Sequence, residues 1–186
     1  HLAYGTSSAK SLTLSFHVKS SVTGTYTIAF YRDESTDRLI TATYTINSAS
    51  TWEYKTITIP GDTGASITND NANRFEIYFH GGAGADFKGT DSSGSWGNYS
   101  NAGFANGLTV NLQNTANATW QATGIQLEVG DVATAFEHRS FGDELQRCER
   151  YFTRMPLGDN DIQFNFARFS ASAGAAYYPV HLPTTM

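Results

Sequence analysis

Apolar and polar residues alternate through the first two-thirds of the chain. In Leu12-Thr13-Leu14-Ser15-Phe16-His17-Val18-Lys19 every second side chain is apolar, the mark of a strand with one buried face. A polar turn at Ser20–Gly24 follows, and then Tyr26, Ile28 and Phe30 fall in phase. The pair reads as a hairpin. Beyond a charged loop, Arg32 to Arg38, a third strand carries Ile40, Ala42, Tyr44 and Ile46 on one face. A fourth runs from Trp52 to Ile59 and stops at Pro60-Gly61-Asp62, a strong turn signal. Phe75, Ile77 and Phe79 mark a fifth strand, Leu108–Leu112 another, and Ile125, Leu127 and Val129 a last one ending near Val129. Seven or eight short strands with no helix between them predict an all-β fold: an antiparallel β-sandwich, most simply a jelly roll.

The pattern fails twice. From Gly81 to Gly107 no alternation survives, and this stretch holds eight glycines with Phe87, Trp96, Tyr99 and Phe104. Long loops inside compact domains usually carry function. After residue 140 the period changes. Ser140-Phe141-Gly142-Asp143 fits a capping box. Leu145, Cys148, Phe152 and Met155 then recur at spacings of three and four, which predicts an amphipathic helix from Asp143 to about Met155. Cys148 is expected on its buried stripe as a small hydrophobe. Ile162, Phe164 and Phe166, then Ala175 to Val180, resume alternation. The domains expected are therefore a sandwich at 1–140, a connecting helix at 141–156, and an incomplete second β domain at 157–186. The chain reads as a piece of a longer protein.

Composition narrows the function classes. The 186 residues include 23 Thr, 17 Ser and 12 Asn but only 4 Lys, and charged residues are 16%. Aromatics at 13% exclude a disordered chain. No apolar run approaches the ~18 residues of a membrane helix. A net charge of -5 argues against nucleic acid as a partner. One cysteine excludes a disulfide scaffold.

Candidate chemistry is sparse. The five histidines lack the spacing of a zinc site. No nucleophile elbow is present, and the acidic pairs Asp33-Glu34 and Asp143-Glu144 sit where loops and helix starts favour acids. Flat rings stack on the C–H faces of sugars while amides and carboxylates bond hydroxyls. Trp96, Tyr99 and Phe104, beside Asp91, Asn98, Asn101 and Asn106, suit that task. The same rings would equally serve to pack the loop on its own sandwich or on a neighbouring subunit. Trp52 reads as core or rim packing. Oxygen donors at Asp62, Glu128 and Asp131 lie near strand ends, where a structural calcium is the cofactor to consider. No other cofactor is expected.

The phrase Gln126-Leu127-Glu128-Val129-Gly130-Asp131-Val132-Ala133-Thr134-Ala135-Phe136-Glu137-His138-Arg139-Ser140, continued by Glu144-Leu145-Gln146-Arg147-Cys148-Glu149-Arg150-Tyr151-Phe152, closely resembles the end of a sandwich domain in tail-fibre and related structural proteins of tailed bacteriophages. Ser11–Tyr26 and Thr51–Asp62 are similar to its opening and middle, so the resemblance covers about residues 5–155. It departs at Ala135, where the family often has proline, and the family's first strand would lie upstream of His1. The resemblance implies a carbohydrate-binding-like jelly roll in a homotrimeric virion appendage, with a host cell-surface glycan and other virion proteins as partners and no catalytic set. Arg147, Arg150 and Arg154 on the helix are the intersubunit candidates. Two other readings stay open: a purely structural fibre or capsid-decoration module, and an accessory module of a glycan depolymerase.

Overall fold

A computed structural model describes residues 2–70, 72–89 and 93–149. The chain divides into two compact units, His1–Phe136 and Glu137–Met186. The described residues of the first unit form seven strands: β1 (Leu12–Ser20), β2 (Gly24–Arg32), β3 (Arg38–Ile46), β4 (Glu53–Ile59), β5 (Glu76–His80), β6 (Gly97–Asn98) and β7 (Trp120–Val129). They make two antiparallel sheets, ordered β4-β1-β7 and β5-β2-β3-β6. The alternation thus builds the sandwich it predicts.

The in-phase residues meet between the sheets. Leu12, Leu14, Phe16 and Val18 of β1 face Tyr26, Ile28 and Phe30 of β2, with Ile40, Tyr44, Ile46, Ile57 and Ile59 beside them. Phe16 stands edge-on to both Tyr44 and Phe79, each at 5.3 Å. Each of these large side chains contributes roughly 1.5–3 kcal/mol by leaving water. The two buried hydroxyls flanking the turn between β1 and β2 pair with each other, Ser20 Oγ and Tyr26 Oη at 2.7 Å, so neither is left unsatisfied.

Four expectations are corrected. The first two strands do not pair as a hairpin: β1 and β2 lie in different sheets, and β2 pairs with β3 instead. Leu108–Leu112 does not form a strand. Leu108 and Val110 are buried as the pattern requires, and the Thr109 N–H donates to the Thr25 carbonyl at 3.0 Å, but the return bond goes to a side chain: the Thr25 N–H donates to Thr109 Oγ1 at 2.9 Å. A hydroxyl therefore takes the place of a ladder carbonyl, and the chain turns into a short 3-10 segment, Leu112–Asn114. Trp52 is not in the core; it lies exposed just before β4. Ile125, Leu127 and Val129 are in phase, as read, yet remain exposed. β7 is an edge strand paired with β1 alone, and a bulge opposite Phe16 shifts its register between Gln126 and Thr123.

In the second unit the described helix, α1, spans Phe141–Glu149. Ser140 caps it, its Oγ accepting from the Asp143 N–H at 3.2 Å. The helix opens at Phe141, where the expected connecting segment 141–156 begins and two residues before the start read from the apolar stripe. Cys148 is exposed, against the expectation of burial, because no described residue of α1 is buried. The rest of the expected helix, with Arg150 and Arg154, and the second β domain lie outside the described residues.

Candidate functional site

The described residues of the glycine-rich segment 81–107 fold onto the outward face of the four-stranded sheet. Thr27 Oγ1 donates to the Asn106 carbonyl at 2.7 Å. Gly94 N–H donates to the Thr41 carbonyl at 3.0 Å, and β6 pairs with Arg38 and Leu39 at the start of β3. Gly107 adopts φ +77°, and a Cβ there would stand 2.7 Å from Thr43 Cγ2, so the close approach needs glycine. This cover explains why Thr27, Ala29, Leu39 and Thr41 are buried although alternation turns them outward.

Five rings gather at one end of that face. Tyr31 comes from β2, Tyr78 and His80 from β5, and Tyr99 and Phe104 from the covering segment. Tyr31 meets Tyr99 at 5.3 Å and Tyr78 at 6.5 Å. Phe104 meets Tyr78 at 5.1 Å, His80 at 4.9 Å and Tyr99 at 5.7 Å. These five contacts are edge-on, the geometry ring quadrupoles prefer, while Tyr78 and His80 stack with centroids 6.3 Å apart. Tyr78 keeps 38% of its surface exposed. Burial pushes the Tyr31 phenol well up, helped by a hydrogen bond to Asp37 and the charges of Asp37, Asp33 and Glu76. Burial pushes the His80 imidazole pKa down, and its Nε2 is buried without a hydrogen-bond partner.

The rings and amides named from sequence divide between this cluster and the core. Tyr99 and Phe104 belong to the cluster. Asn101 lies beside them, its Oδ1 accepting from Tyr99 Oη at 2.5 Å. Asn98 is exposed and accepts from Arg38 Nη1 at 2.8 Å. Trp96 stands apart, half-buried against the core. Its Nε1 donates to the Pro60 carbonyl at 2.7 Å, its edge meets Tyr4 at 6.0 Å, and the Arg32 guanidinium lies 5.8 Å from its ring. It anchors the loop rather than offering a free face. Asp91 lies outside the described residues. Sequence reading missed Tyr31, Tyr78 and His80. Their only signal was being large rings at the outward positions of strands.

The three carboxylates considered for calcium are not brought together. Asp62 is buried between two guanidiniums: Oδ2 accepts from Arg32 Nη1 at 2.5 Å and from Arg38 Nε at 3.0 Å, and Oδ1 from Arg38 Nη2 at 2.9 Å. Burial alone would raise its pKa; the Arg38 hydrogen bonds, the Gly64 N–H and both positive charges outweigh it and hold the carboxyl below its ordinary value. Glu128 accepts from the N–H and Oγ1 of Thr134, and Asp131 uses its backbone carbonyl to accept from Thr58. Among the described residues no group of three or more His, Cys, Asp or Glu is placed to hold a metal ion. Arg147, the described intersubunit candidate, pairs with Asp143 one turn earlier at 3.2 Å.

The molecule is thus a loop-covered β-sandwich with an aromatic cluster at one end of a sheet. No family model, curated protein or solved structure matches this chain.

Proposed function

We propose that the chain is a non-enzymatic subunit of a tailed-phage appendage, a tail fibre or tail tip, whose sandwich binds a glycan of the host surface. The observation that carries the glycan reading is the ring cluster Tyr31–Tyr78–His80–Tyr99–Phe104, with Asn101 beside it. Apolar ring surface next to amides is what a sugar needs to stack and to hydrogen-bond at once. The appendage reading rests on the resemblance of the phrase at 126–152. A homotrimer and other virion proteins as partners follow from that resemblance. A glycan array with the full chain tests the site. Binding that Tyr78→Ala and Tyr99→Ala abolish supports it; equal binding by these variants and the parent sinks it.

A second reading draws on a different observation. The exposed row Ile125, Leu127 and Val129 lies along the open edge of β7, and exposed apolar edges mark association surfaces. On this reading the sandwich is a fibre-building module. An oligomer that Leu127→Asp dissociates, in a protein that binds no glycan, favours it.

A further inference from the structure

We propose that the outward face of the three-stranded sheet is a second saccharide site, built by Trp52, Tyr54, His17 and Lys19 and selective for an acidic polysaccharide bearing carboxylate or sulfate groups. The face is distinct from the ring cluster on the four-stranded sheet, and its assignment does not depend on that cluster.

The argument begins with register. Leu12, Leu14, Phe16 and Val18 point into the core, so His17 and Lys19 point out. His17 pairs directly with Tyr54 of β4, and their rings lie 4.9 Å apart. Lys19 sits two residues along the same side of β1, its Nζ 5.1 Å from the centre of the Trp52 ring. Trp52 and Tyr54 share one side of their strand, about 7 Å apart along it at the usual rise. Trp52 is 45% exposed and Tyr54 50%. Two large rings held half open, side by side on a flat sheet, are an apolar platform on the scale of neighbouring sugar rings.

Where β7 joins it, the platform is bounded by the Phe136 ring, which stands over Gly124 beside His17. Gly124 adopts φ +59° at the bulge, and a Cβ there would come 3.5 Å from His17 Nδ1 and 3.8 Å from the Phe136 ring. Along β4 the platform continues into the exposed Thr56 and Thr58. Hydroxyls can exchange hydrogen bonds with sugar hydroxyls.

Charge selects the ligand. The chain as a whole carries -5, yet this end of the sheet presents the Lys19 ammonium. On the β7 side, His17 and Lys19 are in register with Thr123 and Gln121, which carry no charge. Glu53 faces the other side of β4 and is taken up by Lys55 and the Asn47 and Ser48 N–H groups. Glu128 lies toward the far end of β7, bonded to Thr134. The Lys19 ammonium over Trp52 therefore has no carboxylate beside it in register. A sugar stacked on the two rings would bring a carboxylate or sulfate within reach of its three N–H donors. A neutral sugar leaves that ammonium unpaired.

The experiment measures binding of the full chain to polygalacturonate, dextran sulfate and neutral dextran, at low salt and at physiological salt. Binding to the two anionic polymers at least tenfold tighter than to dextran is expected, weakening as salt rises. Trp52→Ala and Lys19→Met should each lower anionic binding at least tenfold, and Lys19→Arg should restore it. Melting curves matching the parent show that these exposed substitutions leave the fold intact. Equal binding of neutral and anionic polymers overturns the proposal. So does anionic binding that Trp52→Ala and Lys19→Met leave unchanged, or a loss that Lys19→Arg does not repair.

Discussion

Arg32 and Asp62, thirty positions apart, meet inside the sandwich with Nη1 2.5 Å from Oδ2 and neither side chain touching solvent. Arg32 also donates to the Ala65 and Ser66 carbonyls, and Arg38 clamps the other carboxylate oxygen. One buried anion thus holds the end of β2, the start of β3 and the turn after β4. Removing it leaves buried guanidinium charge unpaired. Asp62→Asn should destabilise the domain by about 3–5 kcal/mol, the usual cost of breaking a buried pair from one side. Urea denaturation measures it; a change under 1 kcal/mol would show that the cluster does not hold the fold.

The same carboxylate makes stability depend on pH. Its folded pKa lies below the ordinary 3.8. Its contribution is therefore fully present above the ordinary value and is lost as pH falls through the lower, folded one. The stability gap between the parent and Asp62→Asn should be constant near neutrality and narrow below pH 3.8. A gap that stays constant to the acid limit would contradict the assignment.

Phe16 sits at the centre of the core, edge-on to Tyr44 and Phe79. Phe16→Ala should cost about 3–5 kcal/mol through lost transfer energy and the cavity left behind. Chemical denaturation with an unchanged m-value would show that the loss falls on the native state.

What the sequence displayed was set by burial on one face. β1 to β4 alternate because the inner side takes large apolar side chains and the outer side mostly small or polar ones, so Phe16, Ile28, Tyr44 and Ile57 were legible as core. Ala29, Leu39 and Thr41 were not, because a remote segment covers them, and nothing local in a strand records what lies above it. The Arg32–Asp62 pair is invisible for the same reason: each residue alone looks like loop chemistry. For Trp96 the sequence leaves sugar stacking and packing of the loop on its own sandwich equally open, and its indole N–H is committed to Pro60. Trp52 reads as core or rim packing, and its partner is Lys19 on the outer face. The loop still pointed to the right region, since Tyr99 and Phe104 do join the ring cluster.

Cys148 offers a direct check on α1. The apolar stripe predicted a shielded thiol, whereas the structure leaves it exposed. An aromatic disulfide reagent should titrate one thiol per chain within minutes under native conditions, with no denaturant. Labelling that waits for unfolding would restore the buried reading.

Trp96 and Tyr78 should separate stability from binding. Trp96 ties the loop to the core through Pro60, Tyr4 and the Arg32 guanidinium. Truncating it removes a half-buried ring and a hydrogen bond, so Trp96→Ala should cost about 2–3 kcal/mol. Any glycan binding should survive at temperatures where that variant stays folded. Tyr78 is more exposed, and its ring lies at the surface of the cluster beside Phe104. Tyr78→Ala should move stability by less than about 1 kcal/mol, as surface substitutions usually do, while removing glycan binding. Calorimetric melting and glycan titration of the two variants give the comparison. If Trp96→Ala abolishes binding while leaving the melting temperature unchanged, the ring is a ligand platform after all and its role as an anchor is refuted.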